Sequence, residues 1–128
     1  MVLAFIPALF GGYGLYWERW TTSLPAGWIE EMMRPSGANR NFGMQLWLGT
    51  EWEEYRRYDS APGTSVSWHS EPFAADDVVF LDGLGKRQLY IVPSQELVIL
   101  RTGPNDSGWD DSRLPDILIR ALQGKDAA

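Results

Sequence analysis

The sequence contains no cysteine and a single histidine among its 128 residues. Without cysteine there is no disulfide framework, no thiolate metal site and no cysteine nucleophile. His69 lies in a polar, loop-rich segment, whereas a metal site needs several histidine or carboxylate ligands at regular spacing. The carboxylate pairs Asp76-Asp77 and Asp110-Asp111 are typical of a strand end and a helix cap. The sequence therefore predicts no metal site and no cofactor.

Basic residues are also few, since 11 Lys and Arg stand against 17 Asp and Glu, for a net charge of −6. Nucleic-acid binding normally needs a basic surface, so the sequence predicts no nucleic-acid partner. Residues 1–17 carry no charge, but Pro7 and Gly11-Gly12 interrupt them. They are predicted to form a buried helix or helix end, without a membrane span. No clear signal peptide is present, so a cytoplasmic location is the default expectation.

The motifs of several nucleophilic and phosphate-binding sites are missing. None of the nine serines lies in Ser-x-x-Lys or Gly-x-Ser-x-Gly. Gly83-Leu84-Gly85-Lys86 has the composition of a phosphate-binding loop, but Phe80 stands where that loop needs its first glycine. Arg87 replaces the Ser or Thr that would bind magnesium. No catalytic residue is recognisable, so the chain is not expected to run a reaction unaided.

The alternation of apolar and polar residues, together with the turn residues between them, predicts an antiparallel sheet. Asn41 to Leu48 resembles a half-buried strand, and charged, Ser-, Gly- and Pro-rich residues from Gly49 to Ala75 predict long loops. Three strands follow, at Asp77–Leu81, Gln88–Val92 and Leu97–Arg101. The connection between the last two is too short for a parallel crossover, so they are predicted to form a hairpin. Their apolar runs indicate burial on both faces.

Two helices are predicted to flank this sheet. Pro25 to Met33 reads as a short helix. Residues from about Ser112 to Gln123 form a second one, with Gly124 as its end. Its apolar stripe comprises Leu114, Ile117, Leu118, Ala121 and Leu122. The fold class is therefore α+β, with residues 1–128 as one domain.

Four sequence words, LPAGWIEEM, NFGMQLWLG, GLGKRQLYIVP and SQELVILRTG, follow one another along the chain. In their order and with similar gaps, they resemble the last third of serine hydrolases related to class C β-lactamases. This family includes penicillin-binding carboxypeptidases, esterases and aminohexanoate-dimer hydrolases. The four family counterparts are an "LP-x-G-W" helix, a "YG-x-x-W-W" strand, a "G-x-G-x-Q" turn that opens a strand ending in "Y-V-V-P", and an "L-V-V-V-R" strand. The matching residues here are Leu24 to Trp28, Phe42 to Trp47, and Gly83 to Arg101. The resemblance spans roughly residues 8 to 122 and implies a partial domain.

The resemblance also implies site residues. The family's Ser-x-x-Lys nucleophile and Tyr-x-Asn base would precede Met1, so the chain would carry only one wall of the cleft. Gly83, Leu84 and Gly85 would form its oxyanion side, because glycine lets a substrate approach backbone N–H groups. Lys86 and Arg87 would flank the groove mouth and steer a substrate carboxylate. No Lys-Thr-Gly motif is present, which favours esterase and amidase relatives over β-lactamases.

Two functions follow as expectations. The first is a C-terminal portion of a β-lactamase-like serine hydrolase, inactive alone and binding a small ester or amide only when the N-terminal part completes it. The alternative is a non-catalytic interaction module that self-associates through its apolar N-terminal segment, around Phe5, Leu9, Phe10, Tyr13 and Trp17.

Overall fold

A computed structural model of the chain describes residues 2–5, 25–49, 52–53, 55–57 and 66–126. Its elements, in chain order, are β1 (Val2–Phe5), α1 (Trp28–Met32), β2 (Trp47–Leu48), β3 (Tyr55–Arg57), β4 (Val66–Trp68), β5 (Val79–Gly83), β6 (Arg87–Val92), β7 (Leu97–Arg101) and α2 (Arg113–Asp126). One antiparallel sheet has the strand order β1-β7-β6-β5-β2. Strands β3 and β4 form a separate antiparallel pair. The fold is α+β, as the sequence predicts.

The hairpin of β6 and β7 lies at the centre of the sheet and confirms the predicted antiparallel pairing. Val92 pairs with Leu97, and the register continues to Gln88 opposite Arg101. A 3-10 turn over Pro93–Gln95 connects the strands, and Glu96 adopts a φ of 47° to complete the reversal. A four-residue connection permits only this antiparallel return.

One face of the sheet forms the main core under α2. Along β6, Gln88, Tyr90 and Val92 are buried while the residues between them are partly exposed, which is the alternation of a strand with one packed face. The cluster comprises Trp47, Phe73, Val78, Phe80, Tyr90, Val92, Leu97, Ile99 and Ile119. Leu118 and Leu122 pack against it from α2, as predicted.

Among the described residues, few cover the opposite face of the sheet. Met32 and Met33, at the end of α1, pack against a smaller buried cluster of Leu46, Leu48 and Val79. Burial on both faces, which the apolar runs predict, therefore holds for the part of the sheet under α1. Beyond it, Leu81 and Leu100 are 42% and 38% exposed.

The structure corrects several boundaries of strands and loops. The strand predicted over residues 41–48 is restricted to Trp47–Leu48, because Gln45 has a φ of 62° and the chain turns so that Phe42 bridges Trp47. The long loop predicted over residues 49–75 contains β3 and β4, which stabilise each other by pairing.

The N-terminal prediction is wrong for residues 2–5, which form a strand because they pair antiparallel with β7. The remainder of that predicted helix, with Leu9, Phe10, Tyr13 and Trp17, lies outside the described residues. In the described part of the chain, no helix combines the length and apolar character that a membrane crossing requires.

The buried stripe of α2 also differs from the predicted one. Ile119 is fully buried, whereas Ile117 is 58% exposed and Ala121 is exposed. The helix continues past Gly124 to Asp126, so this glycine does not end it.

The buried Ile119 and the exposed Ile117 lie on the same helix, so the same substitution at both positions tests the packing of the core. Ile119→Ala should lower the free energy of unfolding by about 2 to 5 kcal/mol, because it leaves a cavity under the sheet. Ile117→Ala removes the same atoms from an exposed position and should change it by less than about 0.5 kcal/mol. Urea unfolding of both variants checks this, and equal losses would contradict the observed orientation of α2.

Candidate functional site

The Gly83–Lys86 turn joins β5 to β6. The Lys86 N–H donates to the Gly83 carbonyl at 3.1 Å, which closes the turn. Gly85, with a φ of 73°, occupies the third position, as in a type II turn. The Leu84 side chain is 86% exposed at the tip, and its N–H makes no hydrogen bond to another described residue. Its role as an oxyanion donor stays a prediction.

Backbone conformation favours glycine at position 85, and close backbone packing favours it at position 83. A Cβ on Gly85 would lie 2.0 Å from the Asn105 side-chain oxygen, and its φ disfavours other residues. A Cβ on Gly83 would lie 2.9 Å from the Arg87 carbonyl oxygen. Substitution of either glycine would therefore disturb the fold itself, whatever the turn binds.

Lys86 is held inside the protein by two carboxylates. Its Nζ lies 3.2 Å from Asp82 Oδ2 and 3.7 Å from Asp111 Oδ1, and all three side chains are at least nearly nine-tenths buried. The ion cluster of Asp82, Lys86 and Asp111 therefore joins β5, the turn and the start of α2. Among the two cations predicted to steer a substrate, Lys86 is the one whose charge is compensated within the fold.

Hydrogen bonds extend the ion cluster into the core. The Gln88 Nε2 group donates to Asp111 Oδ1 at 2.5 Å, and the Tyr90 hydroxyl donates to Gln88 Oε1 at 2.6 Å. Gln88, Tyr90 and Asp111 are all buried. Their polar atoms thus satisfy one another, as buried polar groups must if the fold is to be stable.

Arg101 supports the turn from β7. Its guanidinium donates to the carbonyls of Gly85 and Lys86, and it stacks 4.0 Å above the ring of Trp109. These contacts hold the two positive-φ residues, Gly85 and Lys86, in place. The tip of the hairpin is therefore rigidly attached to both β7 and the loop before α2.

An open groove of about 640 Å³ crosses the less covered face of the sheet. Leu81, Leu89 and Leu100 lie directly opposite one another in the register of β5, β6 and β7 and contribute to its lining. Gly83 and Arg87 border its end at the hairpin. The residues between α1 and β2 form a wall, with Ser36, Ala38, Asn39, Phe42 and Gln45.

Among the predicted site residues, the structure brings Gly83 and Arg87 to this groove. Leu84, Gly85 and Lys86 are not among its described lining residues. Arg87 is exposed, and one of its terminal nitrogens donates to the Leu84 carbonyl at 2.9 Å. The three leucines were missed, because their shared row depends on strand register and not on any local motif.

The described lining of the groove offers little for covalent chemistry. The Ser36 hydroxyl donates to the Asn39 carbonyl at 2.9 Å and accepts the Asn39 N–H at 3.0 Å, so it belongs to a local turn. His69 is buried elsewhere, with its ring 4.4 Å from that of Phe73. Within the described ranges, no three His, Asp or Glu side chains gather as a metal site would require.

The start of α2 forms a second polar cluster. The Ser112 carbonyl accepts the Asp116 N–H at 3.0 Å, so Ser112 is the N-cap residue. Burial by itself raises the pKa of Asp110, but hydrogen bonds from Ser112 and Ser70 outweigh it and hold the pKa below its ordinary value. The Asp111 N–H also donates to the Trp68 carbonyl at 3.0 Å. This segment therefore attaches α2 to β4.

No protein-family model matches the chain, and no curated protein or solved structure with which it was compared is similar to it.

The ion cluster predicts a large effect on stability. Lys86→Met leaves two buried carboxylates without their cation and should lower the free energy of unfolding by about 3 to 5 kcal/mol. Arg34→Met removes the exposed pair with Glu31, whose nitrogen–oxygen distance is 2.9 Å, and should cost at most about 1 kcal/mol. Urea unfolding at pH 7 distinguishes the two, and a similar small loss for both would show that Lys86 is not buried.

The lowered pKa of Asp110 predicts a pH-dependent contribution to stability. A carboxyl whose folded pKa is depressed stabilises the fold above its ordinary value of 3.8, and this contribution is lost as the pH falls through the folded pKa. Asp110→Asn should therefore lower the free energy of unfolding at pH 7, and this loss should shrink as the pH falls below 3.8. Asp76→Asn, at an exposed position, serves as control. If Asp110→Asn lowered the free energy of unfolding by the same amount at every pH, the lowered pKa of Asp110 would be contradicted.

Proposed function

We propose that this chain is the C-terminal part of a β-lactamase-like serine hydrolase, forming one wall of the substrate cleft without hydrolysing on its own. The sequence words that resemble this family lie on α1, around β2, and on the β5–β6–β7 hairpins. The observation that carries the proposal is the open groove on the sheet face, bordered at one end by Gly83 and Arg87 of the Gly-rich turn.

The turn supports the proposed role of its backbone. An oxyanion donor must have a free N–H before the substrate arrives, because a paired donor does not stabilise developing charge. The Leu84 N–H has no hydrogen-bond partner among the described residues, and the contacts of Lys86 and Arg101 fix the turn around it. A small ester or amide would be the substrate once an N-terminal part supplied the nucleophile and base.

The isolated chain should not hydrolyse a chromogenic ester, an amide or a cephalosporin above background, because the nucleophile is missing. Mass spectrometry after treatment with a fluorophosphonate or a penicillin should show no acylated serine. Stoichiometric acylation would overturn the proposal, and any labelled serine would identify a catalytic site in this chain.

Joining the chain to the N-terminal part of a related hydrolase should restore activity and allow the Leu84 N–H to be tested. Leu84→Pro removes this donor, and proline is favoured at the second position of a type II turn, so the fold should tolerate it. The rate should fall by about 100- to 1000-fold. Leu84→Ala keeps the N–H and should retain the activity. Equal rates for the two variants would contradict the oxyanion role.

The second candidate is a non-catalytic interaction module. The exposed row of Leu81 and Leu100 favours it, since contiguous apolar surface commonly binds a partner. The N-terminal segment through which self-association is predicted lies largely outside the described residues. Sedimentation of the chain over a range of concentrations separates this candidate from the first. An interaction module must associate without the N-terminal part of a hydrolase, whereas a hydrolase fragment need not associate.

A further inference from the structure

We propose that the groove on the open sheet face binds a small anionic amphiphile, a carboxylate with an unbranched alkyl tail. The tail would lie on Leu81, Leu89 and Leu100, and the carboxylate would pair with Arg87. This inference concerns binding by the chain alone and does not depend on the proposed hydrolase function.

The shape and lining of the groove favour a small molecule as the occupant. Its volume of about 640 Å³ lies within the range of about 300 to 1,000 Å³ that is usual for small-molecule sites. Such sites are mainly apolar with a few polar groups, as this one is, with Asn39 and Gln45 on its wall. A protein partner would instead be expected to meet a flatter and larger surface.

The leucine row gives the groove an apolar floor of defined length. Leu81 is opposite Leu89, and Leu89 is opposite Leu100, so the row crosses three adjacent strands. Two strand spacings correspond to about 10 Å. The register places Leu3 of β1 next in the same row, opposite Leu100. An alkyl chain that follows the row would contact Leu81, Leu89 and Leu100 in turn.

The charge of the groove selects an anion. Two charged residues, Asp82 and Arg87, occur among the described lining residues. The Asp82 side chain is 1% exposed and is paired with Lys86, whereas Arg87 is exposed. The groove therefore presents a positive charge, although the chain as a whole has a net charge of −6. Arg87 uses one N–H on the Leu84 carbonyl and has five donors in all, which leaves donors for a carboxylate.

Calorimetric titration of the full chain with octanoate, decanoate and dodecanoate, below their micellar concentrations, tests the proposal. We expect one binding site per chain and an affinity that rises by up to about fourfold for each added methylene. Decanol and decyltrimethylammonium are the neutral and cationic comparisons, and both should bind more weakly than decanoate. The absence of carboxylate binding, or equal affinity for decanoate and the cation, would overturn the proposal.

Two pairs of variants assign the site. Arg87→Gln should weaken decanoate binding about tenfold and leave decanol binding unchanged, because it removes only the charged hydrogen bond. Arg113→Gln, at an exposed position of α2 outside the described lining, should change neither. Leu81→Asn should weaken both ligands, and the exposed Ile117→Asn should weaken neither. Urea unfolding confirms that all four variants are folded.

The competing occupants give different results. If a second copy of the chain covers the leucine row, sedimentation will show a dimer that Leu81→Asn dissociates, and decanoate will not bind to the dimer. If a lipid surface is the occupant, the chain will sediment with anionic vesicles more readily than it binds monomeric decanoate. Either result, or an Arg113→Gln effect as large as that of Arg87→Gln, would refute the proposed site.

Discussion

The buried contact of Lys86 with Asp82 and Asp111 is the constraint on which the hairpin end of this fold depends. Removing three charges from water is costly unless they compensate one another in good geometry. The three residues come from β5, the turn and the segment before α2, so this requirement fixes the relative positions of all three. It also explains why Lys86 adopts a φ of 65°, a conformation that is unfavourable for a residue with a side chain.

The same contact contributes to the chemical difference between the two faces of the sheet. Gln88, Tyr90 and Arg101 belong to the helix-covered side, where buried polar groups satisfy each other or the backbone. The opposite side retains Leu81, Leu89 and Leu100, with Arg87 at its border. Because the acidic groups near the turn are already paired, the open face is apolar and positively charged at one end in an otherwise acidic protein.

The sequence predicted the elements with strong local signals. Alternation and the short connection located the hairpin of β6 and β7, and helical spacing located α2. Elements that depend on distant partners were not predictable in this way. Residues 2–5 are a strand because of β7, and the leucine row exists only in the register of three strands. For the same reason, no motif indicated that Lys86 would face Asp111, 25 positions later. The position of Arg87 beside a groove was expected only through the family resemblance.

The pairing of β1 with β7 has a consequence for the order in which the chain folds. Val2 lies opposite Arg101, so about three quarters of the chain separates the two paired residues. Closing such a long loop costs more entropy than closing the four-residue connection of the central hairpin. Contacts of high sequence separation also form slowly. We therefore expect the hairpin to form early and β1 to join the edge of the sheet late.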